Sequence, residues 1–292
     1  MRKKAFIVQL SERPRVALAQ GTRLGVVGAG AMGRALLRGL LQSGVGTEQL
    51  WAATQSSASA EAVRADLAVR ASDAYAPFVP ESDVVVLAVK PAQIGSALKQ
   101  LAVAGLRPGT LVVSVAAGVT TRRLEEALPA NPVVRVMSNT PCFVGEGMTA
   151  IAPGSRATPE HLALTHDIFA AVGRCITIEE RHLDAVTAIS GSGPAYIYLV
   201  IEALADAGVR VGLPRQTAMT LVTQTVLGAA TMVERSDRHP ASLRDDVTTP
   251  AGCTIGALLV LEDGKIRSVL ARAVEEARDV LRELAAAQQE AT

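Results

Sequence analysis

A glycine-rich turn between an apolar strand and an apolar helix constrains the fold of this chain more than any other feature. The predicted strand covers residues 24–28, the turn is Gly28-Ala-Gly-Ala-Met-Gly33, and the helix covers residues 34–41. Further apolar strands, separated by helical stretches, are predicted near residues 50–53, 83–89, 111–115 and 133–137. Strands that alternate with helices predict an α/β fold with a parallel, doubly wound sheet of the Rossmann type.

The pattern changes after about residue 181, where apolar strands nearly vanish and long helices are predicted over 194–211, 214–234 and 266–284. We therefore expect a loose N-terminal extension (1–21), a doubly wound domain (22–181) and an all-helical domain (182–292). The last helix carries an apolar stripe at helical spacing, and the small residues at 228–230 allow close helix approach. These features favour a homodimer or larger homo-oligomer, although a bundle within one chain would bury the same stripe.

The glycine turn also predicts a dinucleotide-binding site. Between a strand and a helix, Gly28 permits the tight turn, Gly30 lets backbone approach a pyrophosphate, and Gly33 lets the helix pack on the strand. Glycines also cluster at ordinary turns, so the prediction depends on this context. The intervening residues of the predicted cofactor-binding turn are Ala29, Ala31 and Met32.

The end of the second strand indicates which dinucleotide would bind. Thr54, Gln55, Ser56 and Ser57 stand there, without an Asp or Glu to accept a hydrogen bond from a ribose 2′-hydroxyl. Hydroxyl and amide groups can instead hydrogen-bond a 2′-phosphate. NADPH is therefore favoured over NADH, with Thr54 and Ser56 as contacts, although no arginine supports that choice.

Two further turns follow strands whose carboxyl ends face the predicted ligand edge of the sheet. The first contains Ala88, Val89, Lys90 and Pro91, and the second begins at Asn139. Lys90 is placed to contact the ribose or a phosphate, and Asn139 to orient a nicotinamide carboxamide through its donor and its acceptor. The alternatives are a solvated lysine and a simple Asn-Thr-Pro turn.

A second glycine-interrupted helix start lies near the other end of the chain, within residues 245–262. Pro250 suits a first helical turn, Gly252 lets backbone approach a ligand, and Thr254 adds a hydroxyl beside backbone N–H groups without intrahelical partners. Such a helix start can bind a small carboxylate without an arginine. A helix that is only capped and packed in the core is the alternative.

Composition argues against several other functions. The 29 basic and 28 acidic residues give a net charge of +1, which provides no field for nucleic acid. Three widely spaced cysteines and four histidines without ligand spacing predict no metal site and no histidine-centred triad. No uninterrupted apolar stretch reaches the roughly 18 residues of a membrane span, so we expect no membrane partner and a soluble, cytoplasmic protein.

Several of these stretches together resemble pyrroline-5-carboxylate reductases, which catalyse the last step of proline biosynthesis. The resemblance extends from about residue 22 to 285 and is carried by residues 28–33, 88–91, 134–141, 145–149, 190–196, 202–208 and 245–262. It implies NAD(P)H bound by the Rossmann domain, helices that interlock two subunits, and active sites shared between them. It also implies that Thr249, Gly252, Cys253 and Thr254 bind the cyclic imine carboxylate, and that Thr254 is the catalytic residue.

The chain departs from the family pattern close to these sites. Ser138 replaces a proline, Cys142 and Phe143 replace smaller or aliphatic residues, and in the second helix start Ala251 and Asp246 replace a glycine and an uncharged amide. An inward-facing Asp246 would weaken an anion site. Cys253, which replaces a threonine or alanine, is either a reactive thiol or a small filler. Two alternatives therefore stay open: reduction of another cyclic imine or a hydroxy acid, and a non-catalytic NADP-binding regulatory protein.

Overall fold

The computed structural model describes residues 18, 19 and 21–290, with side chains up to residue 283. The predicted N-terminal extension lies outside the described residues except at its end, where Leu18 is buried in the core of the sheet domain. The described chain forms two compact units. The first holds the sheet and comprises the residues up to Gly191 together with those from Leu281 on, and the second comprises Ser192–Val280. The domain boundary at residues 181 and 182 stays a prediction.

Eight strands form one sheet in the order β3-β2-β1-β4-β5-β6-β7-β8. The strands are β1 (Leu24–Val27), β2 (Leu50–Ala53), β3 (Arg70–Ser72), β4 (Val84–Leu87), β5 (Leu111–Ser114), β6 (Val133–Ser138), β7 (Gly147–Pro153) and β8 (Gly173–Thr177). The predicted parallel sheet is present from β3 to β6, whereas β7 pairs antiparallel with β6 and β8 pairs parallel with β7. The order reverses direction at β1, which is where a doubly wound sheet binds its ligand.

Eleven α-helices are described. They are α1 (Ala31–Gln42), α2 (Ser57–Leu67), α3 (Ile94–Val103), α4 (Thr121–Ala127), α5 (Pro159–Ala170), α6 (Leu183–Val186), α7 (Gly193–Arg210), α8 (Arg215–Ser236), α9 (Pro240–Asp246), α10 (Cys253–Asp263) and α11 (Ile266–Glu290). Short 3-10 turns occupy Thr47–Gln49, Val79–Glu81, Pro91–Gln93, Thr140–Val144 and Glu180–His182, and a π-helical turn covers Thr187–Gly191. The predicted long helices correspond to α7, α8 and α11.

The central strands are apolar throughout because both faces of the sheet are covered. On β1, Leu24 and Val26 enter one hydrophobic core and Val27 enters the other. A Cβ on Gly25 would lie 2.0 Å from the ring of Trp51, so this glycine makes room for the indole on β2. This two-sided burial explains why continuous apolar runs, without polar alternation, mark these strands in the sequence.

A buried ion pair fixes β6 to the chain that follows the sheet. The Arg135 side chain is only 7% exposed, and its Nη1 lies 3.1 Å from the Glu180 carboxylate. Glu180 also accepts hydrogen bonds from the backbone N–H and the hydroxyl of Thr121, at 2.8 and 2.6 Å. One carboxylate therefore connects β6, the start of α4 and the 3-10 turn at Glu180–His182.

The second unit, Ser192–Val280, is helical and buries little of its own apolar surface. A Cβ on Gly208 of α7 would lie 3.0 Å from the Cβ of Ala218 on α8, so small residues bring these two helices close together. Within this unit Ala205 and Ala218 are the buried hydrophobic residues, and many large ones are exposed. The larger exposed side chains include Tyr198, Leu199, Leu221, Leu227, Met232, Leu259 and Val260.

The helical run Glu180–Arg210 is long and apolar enough to cross a membrane by length and composition alone. Polar residues such as Ser190, Ser192 and Glu202 interrupt the run. Helices of soluble proteins that pack against other helices have the same length and composition.

Candidate functional site

A cleft of about 530 Å³ lies at the carboxyl ends of β1, β2, β3 and β4 in the first unit. Its lining residues are Gly28, Ala29, Gly30, Ala53, Thr54, Gln55, Ser59, Asp73, Tyr75, Ala88, Val89, Lys90, Gln93, Ser96, Ala97 and Gln100. The cleft thus brings together the glycine turn, the end of the second strand and the turn that contains the exposed Lys90. Six residues predicted to bind the cofactor do not line it: Ala31, Met32, Gly33, Ser56, Pro91 and Asn139.

The glycine turn has the geometry that a bound pyrophosphate requires. Gly28 has a φ of +95°, and a Cβ there would lie 2.6 Å from the carbonyl oxygen of Ala88. A Cβ on Gly33 would lie 2.2 Å from the Gly28 carbonyl oxygen, whereas a Cβ on Gly30 would meet nothing within 4 Å. Gly30 therefore presents bare backbone to the cleft, and Gly33 keeps α1 against β1.

The start of α1 supplies hydrogen-bond donors to this turn. The first intrahelical bond runs from the Arg34 N–H to the Gly30 carbonyl, at 2.9 Å, and no side chain caps the helix. The N–H groups of Ala31 and Met32 come earlier and have no intrahelical acceptor. These two residues can thus contribute through backbone donors and the helix dipole although their side chains do not line the cleft.

The hydroxyl groups predicted to select NADPH are engaged within their own turn. Thr54 donates its hydroxyl hydrogen to the Ser56 carbonyl at 2.9 Å. Ser56 caps α2, because its Oγ accepts the Ser59 N–H at 3.3 Å, and it donates to the Ser59 hydroxyl at 3.0 Å. Neither Thr54 nor Ser56 therefore has its hydroxyl hydrogen free for a phosphate oxygen. Their role as cofactor contacts stays a prediction.

The cleft is also lined by an acid, Asp73, that is not predicted from the sequence. Asp73, just after β3, accepts a hydrogen bond from the Ser57 hydroxyl at 2.5 Å. The sequence pattern predicts such an acid only at the end of the second strand, and β3, with three residues, is too short to be recognised in the sequence. Tyr75 from the same loop also lines the cleft, and burial raises the pKa of its hydroxyl.

Asn139 is bonded within the sheet domain through both ends of its amide. Its Oδ1 accepts the Met148 N–H at 2.8 Å, and its Nδ2 lies 3.2 Å from the Ser190 carbonyl oxygen and 3.3 Å from the Ser190 hydroxyl. The side chain thus ties the end of β6 to β7 and to the π-helical turn. Orientation of a nicotinamide by Asn139 stays a prediction.

Two of the family departures near Asn139 have structural partners. The hydroxyl of Thr149 donates to the buried Ser138 at 3.0 Å. Cys142 is buried, and burial raises the pKa of its thiol to about 11, so it is a neutral packing residue at physiological pH. Phe143 is 47% exposed. Ser138 and Cys142 therefore belong to the packing around β6.

The second predicted set of site residues lies in the helical unit, at the start of α10. Pro250 precedes this helix and does not occupy its first turn, contrary to the expectation from sequence. Gly252 is the N-cap, no side chain caps the helix, and a Cβ there would lie 2.3 Å from the Thr249 hydroxyl. The first intrahelical bond is from Gly256 to the Gly252 carbonyl. The N–H groups of Cys253 and Thr254 therefore have no intrahelical acceptor, as a carboxylate site requires.

Asp246, which precedes this helix start in the sequence, is paired with an arginine. Both of its carboxylate oxygens contact the Arg238 guanidinium, at 2.5 and 3.1 Å. This contact lowers the pKa of Asp246 and neutralises its charge locally. The departure from the family pattern is thus compensated by an arginine from the end of the α8–α9 connection.

No group of three or more His, Cys, Asp or Glu side chains that could hold a metal ion occurs in the part of the chain that the structure describes. The α10 start offers backbone N–H donors, and the cleft combines the glycine turn with polar side chains such as Gln55 and Lys90. The two sets of residues belong to different units of the chain. The chemistry available to each is binding and orientation of an anionic ligand.

Comparisons with known proteins agree with this inventory. A family model described as pyrroline-5-carboxylate reductase dimerisation matches residues 180–284, and one described as NADP oxidoreductase, coenzyme F420-dependent, matches residues 23–118. The pyrroline-5-carboxylate reductase of Arabidopsis thaliana is 42% identical over 267 residues, which cover 91% of this chain and 96% of that protein. The enzyme of that name from Methanosarcina acetivorans is 43% identical over 91% of this chain and 98% of its own length.

Solved structures give the same assignment. A pyrroline-5-carboxylate reductase from Coxiella burnetii superposes with a TM-score of 0.86 at 34% identity, over 91% of this chain and 99% of that one. The Plasmodium falciparum pyrroline carboxylate reductase with NADP bound gives a TM-score of 0.81 at 33% identity, with the same coverage. The chain belongs to the pyrroline-5-carboxylate reductase family.

Proposed function

We propose that this chain reduces the C=N bond of 1-pyrroline-5-carboxylate with a hydride from NADPH, giving L-proline in the last step of proline biosynthesis. The observation that carries the proposal is the likeness to enzymes of that name over nearly their whole length, 96% and 98% for the two relatives described. The cleft and the α10 start each support it. One offers a glycine turn to a dinucleotide, and the other offers backbone donors to a carboxylate.

The residues present fit a dinucleotide cofactor. A Cβ-free backbone at Gly30, the start of α1 and the exposed Lys90 meet at one cleft. These groups suit a pyrophosphate, which is anionic and needs close backbone approach. When bound, the cofactor supplies the hydride. NADP in the Plasmodium falciparum relative supports the choice of NADP(H) here.

The chain's own residues have to bind, orient and neutralise charge. The ring nitrogen of the substrate already carries a proton in its iminium form, so a strong general acid is not required. The N–H groups of Cys253 and Thr254 bind the substrate carboxylate, with Thr249 and Gly252 shaping the turn. The Thr254 hydroxyl oxygen accepts a hydrogen bond from the iminium N–H, or the hydroxyl donates one to the carboxylate. Catalysis then results from orientation, because the chain holds the substrate ring against the hydride donor.

We further propose a homodimer with shared active sites. A helical unit with only Ala205 and Ala218 buried among its hydrophobic residues cannot be stable with the rest exposed. A second copy would cover the exposed faces, including the apolar run at Glu180–Arg210, and its residues 249–254 would complete the cleft. The free cysteines Cys142, Cys175 and Cys253 support a reducing compartment, so we place the protein in the cytoplasm.

The decisive experiment follows NADPH oxidation with 1-pyrroline-5-carboxylate for the wild type, Thr254→Ala and the matched control Thr254→Ser. We expect turnover by the wild type, a large loss in Thr254→Ala and retention in Thr254→Ser, which keeps the hydroxyl. NADPH binding without any turnover would contradict the enzymatic proposal. Turnover of other cyclic imines or hydroxy acids alone would favour the second candidate activity.

Shared sites are tested by co-expressing two inactive variants. Gly30→Glu damages the cleft and Thr254→Ala damages the α10 start. If each site combines the cleft of one copy with α10 of another, a mixed dimer contains one intact site and activity returns. If both parts come from the same chain, the mixture stays inactive and the shared-site proposal is wrong.

A further inference from the structure

An internal anion occupies the start of α2, inside the cleft. Helix α2 begins at Ser57, immediately after its N-cap Ser56. The Asp73 carboxylate accepts a hydrogen bond from the Ser57 hydroxyl at 2.5 Å. This bond lowers the pKa of Asp73, and the nearby Arg64 charge lowers it further. Asp73 therefore places a carboxylate at the first turn of this helix and uses the Ser57 hydroxyl as a donor.

The start of α2 is where the adenosine end of a bound dinucleotide is expected. The glycine turn at Gly28 and Gly30 takes the pyrophosphate, and in a doubly wound sheet the adenosine ribose is recognised at the end of the second strand. Here that strand is β2, which is followed directly by Thr54, Ser56 and α2. A 2′-phosphate on that ribose would require donors at the α2 start, because a helix N-terminus is the natural anion site in this turn.

Three hydroxyl donors of this turn are already committed. The Thr54 and Ser56 hydroxyl hydrogens are used within the turn, and Ser57 donates to Asp73. The Ser59 hydroxyl accepts from Ser56 and lines the cleft. A 2′-phosphate would meet a like charge that it must displace or tolerate. A 2′-hydroxyl, in contrast, can itself donate to a carboxylate.

We propose that Asp73 is a specificity-determining residue that disfavours the cofactor's 2′-phosphate and so lets NADH compete with NADPH. The proposal rests on the dinucleotide binding of the proposed function. Asp73 acts through charge and through the donors that it occupies, and its position on the loop after β3 makes it independent of the glycine turn. Its removal thus changes the preference between the two cofactors without changing the pyrophosphate site.

The test measures binding of two cofactor fragments by isothermal titration calorimetry. Adenosine 2′,5′-bisphosphate carries the 2′-phosphate, and ADP does not. We compare the wild type with Asp73→Asn, which keeps a hydrogen-bond acceptor for Ser57 but removes the charge, and with Asp73→Ala. The control is Glu61→Gln, which removes an exposed acid of α2 that does not line the cleft.

We expect both Asp73 variants to favour the bisphosphate over ADP by roughly fivefold more than the wild type does, which is the scale of one exposed charge interaction. Asp73→Ala also frees the Ser57 hydroxyl, so its shift should be at least as large as that of Asp73→Asn. A change in the ratio of dissociation constants below about twofold, or an equal change in Glu61→Gln, would overturn the proposal. NADPH and NADH should show the same shift. If the wild type binds neither dinucleotide, the proposed function is wrong, and the role of Asp73 is wrong with it. If it binds both and the ratio does not respond to Asp73, only the role of Asp73 is wrong.

Discussion

Replacing Gly33 with alanine is expected to destabilise the protein and weaken cofactor binding, whereas the same change at Gly30 should weaken binding alone. The Cβ added at Gly33 would lie 2.2 Å from the Gly28 carbonyl oxygen and 3.0 Å from a methyl group of Val26. The nearest obstacle is backbone, so the clash can be relieved only by moving α1 away from β1. At Gly30 the added Cβ meets nothing within 4 Å.

The structure sets the size of both effects. Overpacking a well-packed core costs up to about 3 kcal/mol, and the better helix propensity of alanine at position 33 returns about 1 kcal/mol. The free energy of unfolding of Gly33→Ala should therefore fall by about 2 kcal/mol. Gly30 is an N-cap, where alanine is less favourable than glycine by under about 1 kcal/mol. Its methyl group, however, occupies the closest approach to the pyrophosphate, and we expect a loss in NADPH affinity of about tenfold or more.

Urea unfolding followed by the fluorescence of Trp51, the single tryptophan, measures the first quantity, and calorimetric titration with NADPH measures the second. Gly95→Ala on α3 is the matched control, because its Cβ would meet nothing within 4 Å and the residue does not line the cleft. Gly95→Ala should leave both quantities unchanged or raise stability slightly. A Gly33→Ala protein as stable as the wild type would refute the packing argument. An unchanged NADPH affinity in Gly30→Ala would refute the placement of the pyrophosphate.

Three further changes test the packing of the sheet domain. Glu180→Gln removes the nearer of two carboxylates beside the buried Arg135, with Asp184 remaining at 3.9 Å, and should lower the free energy of unfolding by about 1–3 kcal/mol in urea titrations. Ser82→Ala removes the acceptor, 2.8 Å away, of the buried Trp51 indole N–H, and should cost about 1–3 kcal/mol and alter the tryptophan emission. Burial raises the pKa of Cys142 to about 11, so above pH 9 the unfolded chain releases this proton before the folded one does, and stability should fall between pH 9 and 11.

Each of these has its own control. Glu126→Gln removes an acid from an exposed pair with Arg122 and should change stability by less than about 1 kcal/mol, so an equal loss in both variants would contradict the role given to Glu180. Ser96→Ala removes an exposed hydroxyl elsewhere in the domain, and it should leave the emission unaltered. In Cys142→Ser the stability loss between pH 9 and 11 should be smaller, and an unchanged pH profile would show that Cys142 does not cause it.

The central strands could be predicted from sequence because two-sided burial leaves a continuous apolar signal. Strands β1, β2, β4, β5 and β6 occur where the apolar runs stand, within a residue or two. The outer strands carry weaker signals. Strand β3 has three residues, with the first exposed, and β8 is largely exposed or half-buried along its length. Such strands are fixed by pairing with a neighbour, and a single sequence does not reveal that pairing.

The cleft residues could be predicted from the sequence only in part, for a similar reason. The glycine turn was predictable since its function depends on the absence of side chains, which is visible in the sequence itself. The acid of the cleft was not, because Asp73 reaches the α2 start only through the pairing of β3 with β2. An acid on a neighbouring strand places negative charge in the cleft just as an acid at the end of β2 would. Its spacing from the glycine motif is not fixed, so the sequence motif does not predict it.

Asn139 shows a different limit, because the sequence cannot tell whether an amide at a strand end contacts a ligand or the fold. An amide at a strand end has one acceptor and two N–H donors, and either a ligand or the fold can use them. In this chain the Met148 N–H and the Ser190 carbonyl and hydroxyl take them, so loss of the amide would loosen the joint between β6, β7 and the π-helical turn before it affected a ligand. Any effect of an Asn139 substitution on turnover therefore has to be separated from stability. A change in the Michaelis constant for NADPH at unchanged unfolding free energy would be needed to assign this side chain to the cofactor.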